Sequence, residues 1–186
     1  IPLSFWKNDL LIDLKKKNII FLFVRNPYDR IVSDFKFWIK FYQLHINSSL
    51  SKKYHNLLKQ VEIIFDKNFE ISKNNLNKFI KKILFFKKYE YSLDGHLIPQ
   101  FKFIYTVIND NLIKIPDEIL RFENLESDFI KFKKKYMNFI PNKSIKNTHL
   151  NPTQNKLLNV SSLTSKSKEI IYNYYKLDFE LLKYDK

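Results

Sequence analysis

The sequence predicts an α/β fold with a mainly parallel sheet flanked by helices. Residues 18–24 form a short, nearly continuous apolar run, which is typical of a strand buried on both faces of a parallel sheet. Helical periodicity begins directly after this run, and further strand candidates alternate with helices later in the chain. In such sheets ligands bind beyond the carboxyl ends of the strands, where loops enter helices. Arg25 occupies such a position.

The composition indicates one globular domain over residues 1–186. Hydrophobic residues make up 45% of the chain and charged residues 28%, which is the balance of a soluble, folded protein. No apolar run reaches the roughly 18 residues needed to cross a bilayer. The chain has no cysteine, which excludes a disulfide framework and a thiolate metal site.

The formal net charge of +14 predicts attraction to anions such as phosphates, sulfated sugars, nucleic acid or an acidic membrane. A second interpretation is compositional. Lys, Asn, Ile, Phe and Tyr have AT-rich codons, Lys far outnumbers Arg, and alanine is absent. The charge therefore favours an anionic ligand without identifying it.

A helix is expected to begin at Pro27. Asn26 is a good N-cap residue, and proline fits the first helical turn. Apolar residues then recur at helical spacing and predict the buried face of this helix. They are Ile31, Val32, Phe35, Trp38, Ile39 and Tyr42.

The middle of the chain alternates between helical and extended patterns. Two Lys-rich amphipathic helices are predicted over residues 50–86, with a break near residues 66–68. Residues 92–96 form a turn that holds the single glycine. Strand candidates follow at residues 101–108 and 118–122.

The last third is predicted to be mainly helical. A helix is expected from Asn124, with Glu126 and Asp128 in its first turn, where carboxylates complement the helix dipole. Residues 141–154 form a polar, Asn-rich loop, and residues 165–184 close the chain as one or two helices.

The segment from Phe23 to Ser33 is the most informative part of the sequence. Because a helix starts directly after Arg25, its unpaired N–H groups and partial positive charge favour a bound anion. Arg25 can add a bidentate contact to a phosphate, and Ser33, two turns along the helix, can supply a hydroxyl. The alternative is that Arg25 and Arg30 only cap or form salt bridges, and that Ser33 is a small packing residue.

Four segments, in order, resemble the carbohydrate-type (family 2) sulfotransferases. Residues 24–33 (VRNPYDRIVS) resemble the motif in which an Arg, and a Ser eight positions later, hold the 3′-phosphate of 3′-phosphoadenosine-5′-phosphosulfate. The other three segments resemble the family's His-containing segment, its E-x-L-x-x-D stretch and its closing helix; they are residues 94–100 (DGHLIPQ), 120–129 (LRFENLESDF) and 174–184 (YYKLDFELLKY). The resemblance implies that Arg25 and Ser33 bind this donor.

The resemblance also implies a P-loop-like fold and a Lys/Gly/Thr-rich loop that wraps the phosphosulfate. Residues 1–17 contain no such stretch. We therefore expect that the given sequence is truncated at its N-terminal end and lacks the family's first strand, this loop and the helix that follows it. The chain alone is then expected to be an incomplete, inactive part of the catalytic domain.

His96 is the best candidate for the catalytic base that takes a proton from the acceptor hydroxyl. Asp94 flanks it, and Gln100 is a candidate contact to the substrate sugar. A lone His in a turn is also commonly an ordinary surface or capping residue. Glu123 is interpreted as structural, pairing with Arg121 or with a helix N-terminus.

A polar loop offers weaker candidates at His149, Asn151 and Thr153, because the family often closes over the nucleotide in this part of the chain. His45 and His55 lie in predicted helices without a partner pattern, and no metal site is expected.

The prediction is a transferase that moves a sulfuryl group from the phosphoadenosine donor to a carbohydrate or glycan acceptor, without a nucleic-acid partner. The alternative is a non-enzymatic basic module that binds nucleic acid or an acidic polymer, with steep salt dependence and no nucleotide preference. A kinase-like phosphotransferase is a third possibility, but no Walker-type pattern supports it.

We expect a cytoplasmic protein in a bacterial or viral host. In a eukaryote we expect a Golgi protein, with any membrane anchor in sequence ahead of Ile1.

Overall fold

The computed structural model describes residues 2–85, 89–136 and 158–186. They belong to two compact units, each made of two stretches of chain. The first unit is Ile1–Asn26 with Gln100–Pro152, and the second is Pro27–Pro99 with Thr153–Lys186.

The described elements follow the α/β order that the sequence predicts. In chain order they are α1 (Asn8–Lys17), β1 (Phe21–Val24), α2 (Pro27–His45), α3 (His55–Phe65), α4 (Lys73–Phe85), β2 (Tyr105–Ile108), β3 (Asn111–Lys114), β4 (Glu118–Arg121), α5 (Leu125–Tyr136), α6 (Ser165–Tyr174) and α7 (Lys176–Leu182).

The first unit is built on a parallel pair of strands, β1 and β4, in the register Phe21 to Glu118 through Val24 to Arg121. Asp117 fixes the start of this pair. Its backbone N–H donates to the Ile20 carbonyl at 2.7 Å, and its carboxylate accepts from the Ile20 N–H at 2.9 Å. Helix α5 packs on the pair. The parallel sheet flanked by helices is therefore confirmed, although it is small.

Two features of the first unit differ from the sequence-based expectation. The strand at β1 is not buried on both faces, because 51% of Phe23 is exposed. Strands β2 and β3 form an antiparallel hairpin, with Asn109 and Asp110 in the left-handed region at its turn. The predicted strand at residues 101–108 covers only β2, and β3 was missed because its four residues are all exposed and show no alternation. Helix α1 was also not predicted.

The second unit is a helical layer around a core of aromatic and branched side chains. The buried face predicted for α2 is confirmed: Ile31, Phe35, Trp38 and Ile39 are almost inaccessible to solvent. The ring of Phe35 packs against those of Phe65 in α3 and Phe79 in α4, with centroids 5.7 and 5.4 Å apart.

The predicted breaks between helices are also confirmed. Helix α3 ends at Phe65, and its C-cap residue Asp66 adopts a left-handed conformation with φ 49°. Gly95 has φ +76°, and a Cβ atom there would lie 3.1 Å from the Ile98 side chain, so the turn before His96 favours glycine. Within the described residues, no helix combines the length and the apolar character that a membrane span requires.

Phe35→Ala is expected to lower the free energy of unfolding by about 3–5 kcal/mol, because it opens a cavity among three helices. Urea denaturation followed by circular dichroism measures this loss. Leu44→Ala on the same helix is the control: Leu44 is 70% exposed, and its truncation should change stability by less than about 0.5 kcal/mol. Equal effects of the two substitutions would contradict the core assignment.

Candidate functional site

Arg25 directly follows β1, and one side chain holds its backbone on both sides. The Arg25 N–H donates to Gln100 Oε1 at 2.8 Å, and Gln100 Nε2 donates to the Arg25 carbonyl at 2.8 Å. An amide side chain is well suited to this, since it carries a donor and an acceptor side by side. The pairing continues the hydrogen bonding of the strand one residue beyond β1.

The Arg25 side chain is placed by the turn that follows β4. Its guanidinium carbon lies 4.6 Å from the centre of the Phe122 ring, within cation–π range. The neighbouring Glu123 carboxylate accepts from the Asn26 N–H at 2.6 Å. Because β1 and β4 are parallel, both turns lie at the same edge of the sheet. Glu123 thus binds the residue that precedes α2, in agreement with its expected structural role.

In the second unit, Ser33 lies on the second turn of α2 and is half-buried. Arg30 and Phe37 are three residues before it and four after it, so the three side chains share one face of the helix.

His96 is seated on the same helix. Its Nδ1 lies 3.3 Å from an oxygen of Asp34. Its ring stacks on Phe37, with centroids 5.6 Å apart and an interplanar angle of 6°, and meets the Trp38 ring edge-on at 5.0 Å. The side chain is 41% exposed. The carboxylate beside His96 is thus Asp34 and not the sequence neighbour Asp94.

Arg30 ties this arrangement to the C-terminal helices. Its guanidinium donates a hydrogen bond to the His96 carbonyl and lies 5.7 Å from the Tyr175 ring. The Tyr175 hydroxyl donates to the carbonyl of Leu97, next to His96, at 3.0 Å. Burial raises the pKa of Tyr175 well above its usual value, so the phenol stays protonated and remains a donor.

These contacts give each of the four sequence motifs a physical role. Residues 24–33 supply Arg25 and the first turns of α2, residues 94–100 supply His96 and Gln100, and the segment after β4 supports Arg25. The closing helix contributes Tyr175, and Phe179 packs on Tyr28 with ring centroids 5.0 Å apart. A family model described as the sulfotransferase family matches residues 7–185.

The chain belongs to the sulfotransferase family. This confirms the family 2 resemblance and identifies the protein as a transferase-type enzyme that passes a sulfuryl group to an acceptor. No curated protein and no solved structure matches the chain significantly.

Sequence analysis of this sulfotransferase named Arg25, Ser33, His96 and Gln100 as candidates. It did not name Asp34, which lies beside His96, or Phe122, which lies beside Arg25. Asp34 carried a weak signal, because Arg30 lies four residues before it on the same helix. Phe122 carried none beyond its position after a strand.

Other predicted residues of the sulfotransferase cannot be placed in this way. His149, Asn151 and Thr153 lie outside the described residues. Among the residues that the structure describes, no three His, Asp or Glu side chains lie close enough together to hold a metal ion.

Gln100→Ala should lower the free energy of unfolding by about 1–3 kcal/mol, because both main-chain groups of Arg25 lose this partner in a partly buried place. Hydrogen exchange at the Arg25 amide should accelerate at the same time. The exposed Gln43→Ala is the matched control and should change neither quantity. Unchanged exchange at Arg25 in Gln100→Ala would contradict the holding role.

Proposed function

We propose that this sulfotransferase moves a sulfuryl group from 3′-phosphoadenosine-5′-phosphosulfate to a carbohydrate hydroxyl. The observation that carries the proposal is the fixed position of Arg25, held by Gln100 at the end of β1 and laid over Phe122 directly ahead of α2. A guanidinium placed in advance loses little entropy when it binds a phosphate.

In this proposal Arg25 and Ser33 bind the 3′-phosphate of the donor. Arg25 offers two parallel N–H donors to phosphate oxygens, and Ser33 offers one hydroxyl from a half-buried position on α2. The family motif in residues 24–33 supports the pair, since its Arg and Ser have the same spacing. The alternative role, a salt bridge, belongs to Arg30, whose Nε lies 4.0 Å from the Asp34 carboxylate.

His96 is the proposed base for the transfer. The acceptor oxygen forms a new bond to sulfur, the bond from sulfur to the 5′-phosphate oxygen breaks, and 3′,5′-phosphoadenosine leaves with the electron pair. The acceptor proton passes to His96 Nε2, the ring nitrogen that Asp34 does not use. The partial exposure of His96 supports access by an acceptor.

The carbohydrate acceptor and the P-loop-like character of the sheet rest on the family 2 resemblance. The net charge of +14 favours acceptors that carry negative charge. Gln100 remains a candidate sugar contact, although one donor and one acceptor of its amide are already used on Arg25. No metal takes part in the proposed step, in which cationic side chains stabilise the leaving phosphate.

Arg25→Ala should abolish binding of 3′,5′-phosphoadenosine, and Ser33→Ala should weaken it by about tenfold or more, as expected for one hydrogen bond to a charged group. Isothermal titration calorimetry on the protein expressed from its complete gene measures both. Lys17→Ala removes an exposed positive charge that already pairs with Asp13 and should leave the affinity unchanged.

The salt dependence of the same titrations separates this proposal from a non-enzymatic basic module. A module that binds nucleic acid or an acidic polymer would lose affinity steeply with salt and would not prefer the phosphoadenosine nucleotide. Unchanged nucleotide affinity in Arg25→Ala would overturn the donor site.

His96→Asn should reduce sulfuryl transfer by about 100- to 10,000-fold without weakening nucleotide binding, because a positioned base acts in the transition state and not on the donor. The assay uses the protein expressed from its complete gene, ³⁵S-labelled donor and a panel of neutral and uronate-containing polysaccharides. Full transfer activity in His96→Asn would remove His96 from the catalytic role.

A further inference from the structure

Three side chains in a row along α2 contact His96, one at its carbonyl, one at Nδ1 and one at its ring. Arg30, Asp34 and Trp38 follow one another at intervals of four residues and therefore lie in line on the helix surface. Arg30 binds the His96 carbonyl, Asp34 faces Nδ1, and the Trp38 ring meets the imidazole edge-on. Phe37, beside this row, stacks its ring on the imidazole. Together these contacts fix the position and the orientation of the His96 ring.

Asp34 is the acidic member of this row and is about nine-tenths buried. One carboxylate oxygen faces His96 Nδ1 at 3.3 Å. The other oxygen has no hydrogen-bond partner among the described residues and lies 4.0 Å from Arg30 Nε. A buried carboxylate needs compensation, and Arg30 and His96 are the groups that supply it here.

The charge on Asp34 determines which imidazole nitrogen carries the proton. An ionised carboxylate only accepts hydrogen bonds, so Nδ1 must donate to it. In the neutral ring this leaves Nε2 with its lone pair, as a base requires. A neutral side chain such as asparagine at the same position would not impose this choice.

We propose that Asp34 is a positioning residue that holds His96 in the Nδ1–H form, with Nε2 available to the acceptor hydroxyl. Arg30 supports this arrangement, since it binds the backbone carbonyl of His96 and its positive charge lies beside the Asp34 carboxylate. The inference rests on the proposed role of His96 as the base, and it adds a second residue and a defined protonation to that role.

The first test is the tautomer of His96 in the wild-type chain. Two-bond and three-bond ¹H–¹⁵N correlation spectra in mildly alkaline buffer distinguish Nδ1–H from Nε2–H, and loss of signal in His96→Asn assigns the ring among the four histidines. We expect the Nδ1–H form to predominate in the wild type. Predominance of Nε2–H in the wild type would overturn the proposal without any substitution at Asp34.

The second test uses substitutions of Asp34. Asp34→Asn should shift the ring towards the Nε2–H form and lower kcat about 10- to 100-fold, with the affinity for 3′,5′-phosphoadenosine unchanged. Asp34→Glu keeps a carboxylate and should retain the Nδ1–H form and part of the activity. Glu180→Gln in α7 removes a negative charge from the same unit and should leave the tautomer and kcat unchanged. An unaltered tautomer in folded Asp34→Asn would overturn the proposal.

The two proposals fail in different ways. If Arg25→Ala binds nucleotide as the wild type does, the donor assignment fails, but the tautomer of His96 is unaffected. If nucleotide binding behaves as expected and Asp34→Asn alters the tautomer with kcat unchanged, the positioning role of Asp34 fails and the donor site remains.

Discussion

The paired hydrogen bonds between Gln100 and the backbone of Arg25 are the constraint on which the site depends. Where a helix follows a strand closely, the N–H and C=O of the residue after the strand must be satisfied outside the sheet. Here one amide does so at 2.8 Å on each side. The residue that carries the guanidinium is therefore fixed in its backbone before any ligand binds. Phe122 then limits the side chain, and Glu123 holds the next peptide N–H.

In the second unit α2 has two tasks, and its sequence separates them by face. One face packs the core through residues such as Phe35 and Ile39. An adjoining row, from Arg30 to Trp38, carries polar groups that meet His96. The core fixes the helix, and the helix in turn fixes the distances among these groups. Tyr175 belongs to both parts, since it is buried in the core and its hydroxyl satisfies the Leu97 carbonyl.

The large positive charge has more than one use. Several lysines stabilise the fold itself. Lys15 donates to the carbonyls of Lys114 and Ile115 at 3.0 and 2.9 Å, and the buried Lys36 donates to that of Leu158. Lys135 and Tyr136 bind the Glu118 carboxylate and lower its pKa. These contacts give part of the positive charge a structural role that needs no anionic ligand. Arg25 differs from these lysines in its position after β1 and in its planar guanidinium, which carries several donors.

The sequence by itself determined the elements that carry strong local signals. The periodicity of α2, the apolar strand before it, the glycine turn before His96 and the spacing of Arg25 and Ser33 are all properties of neighbouring residues. They could be predicted because helix caps, helical period and turn chemistry act within a few residues of the chain.

Only the tertiary structure decided which side chains meet across the chain. It paired His96 with Asp34, 62 residues away, where sequence proximity offered Asp94. It placed Gln100 on the backbone of Arg25, 75 residues away, a contact that the sequence did not indicate. It also left Phe23 half exposed and formed a hairpin from residues without a buried face. The physical reason is that such contacts depend on how separate elements pack, and a linear pattern does not record that packing.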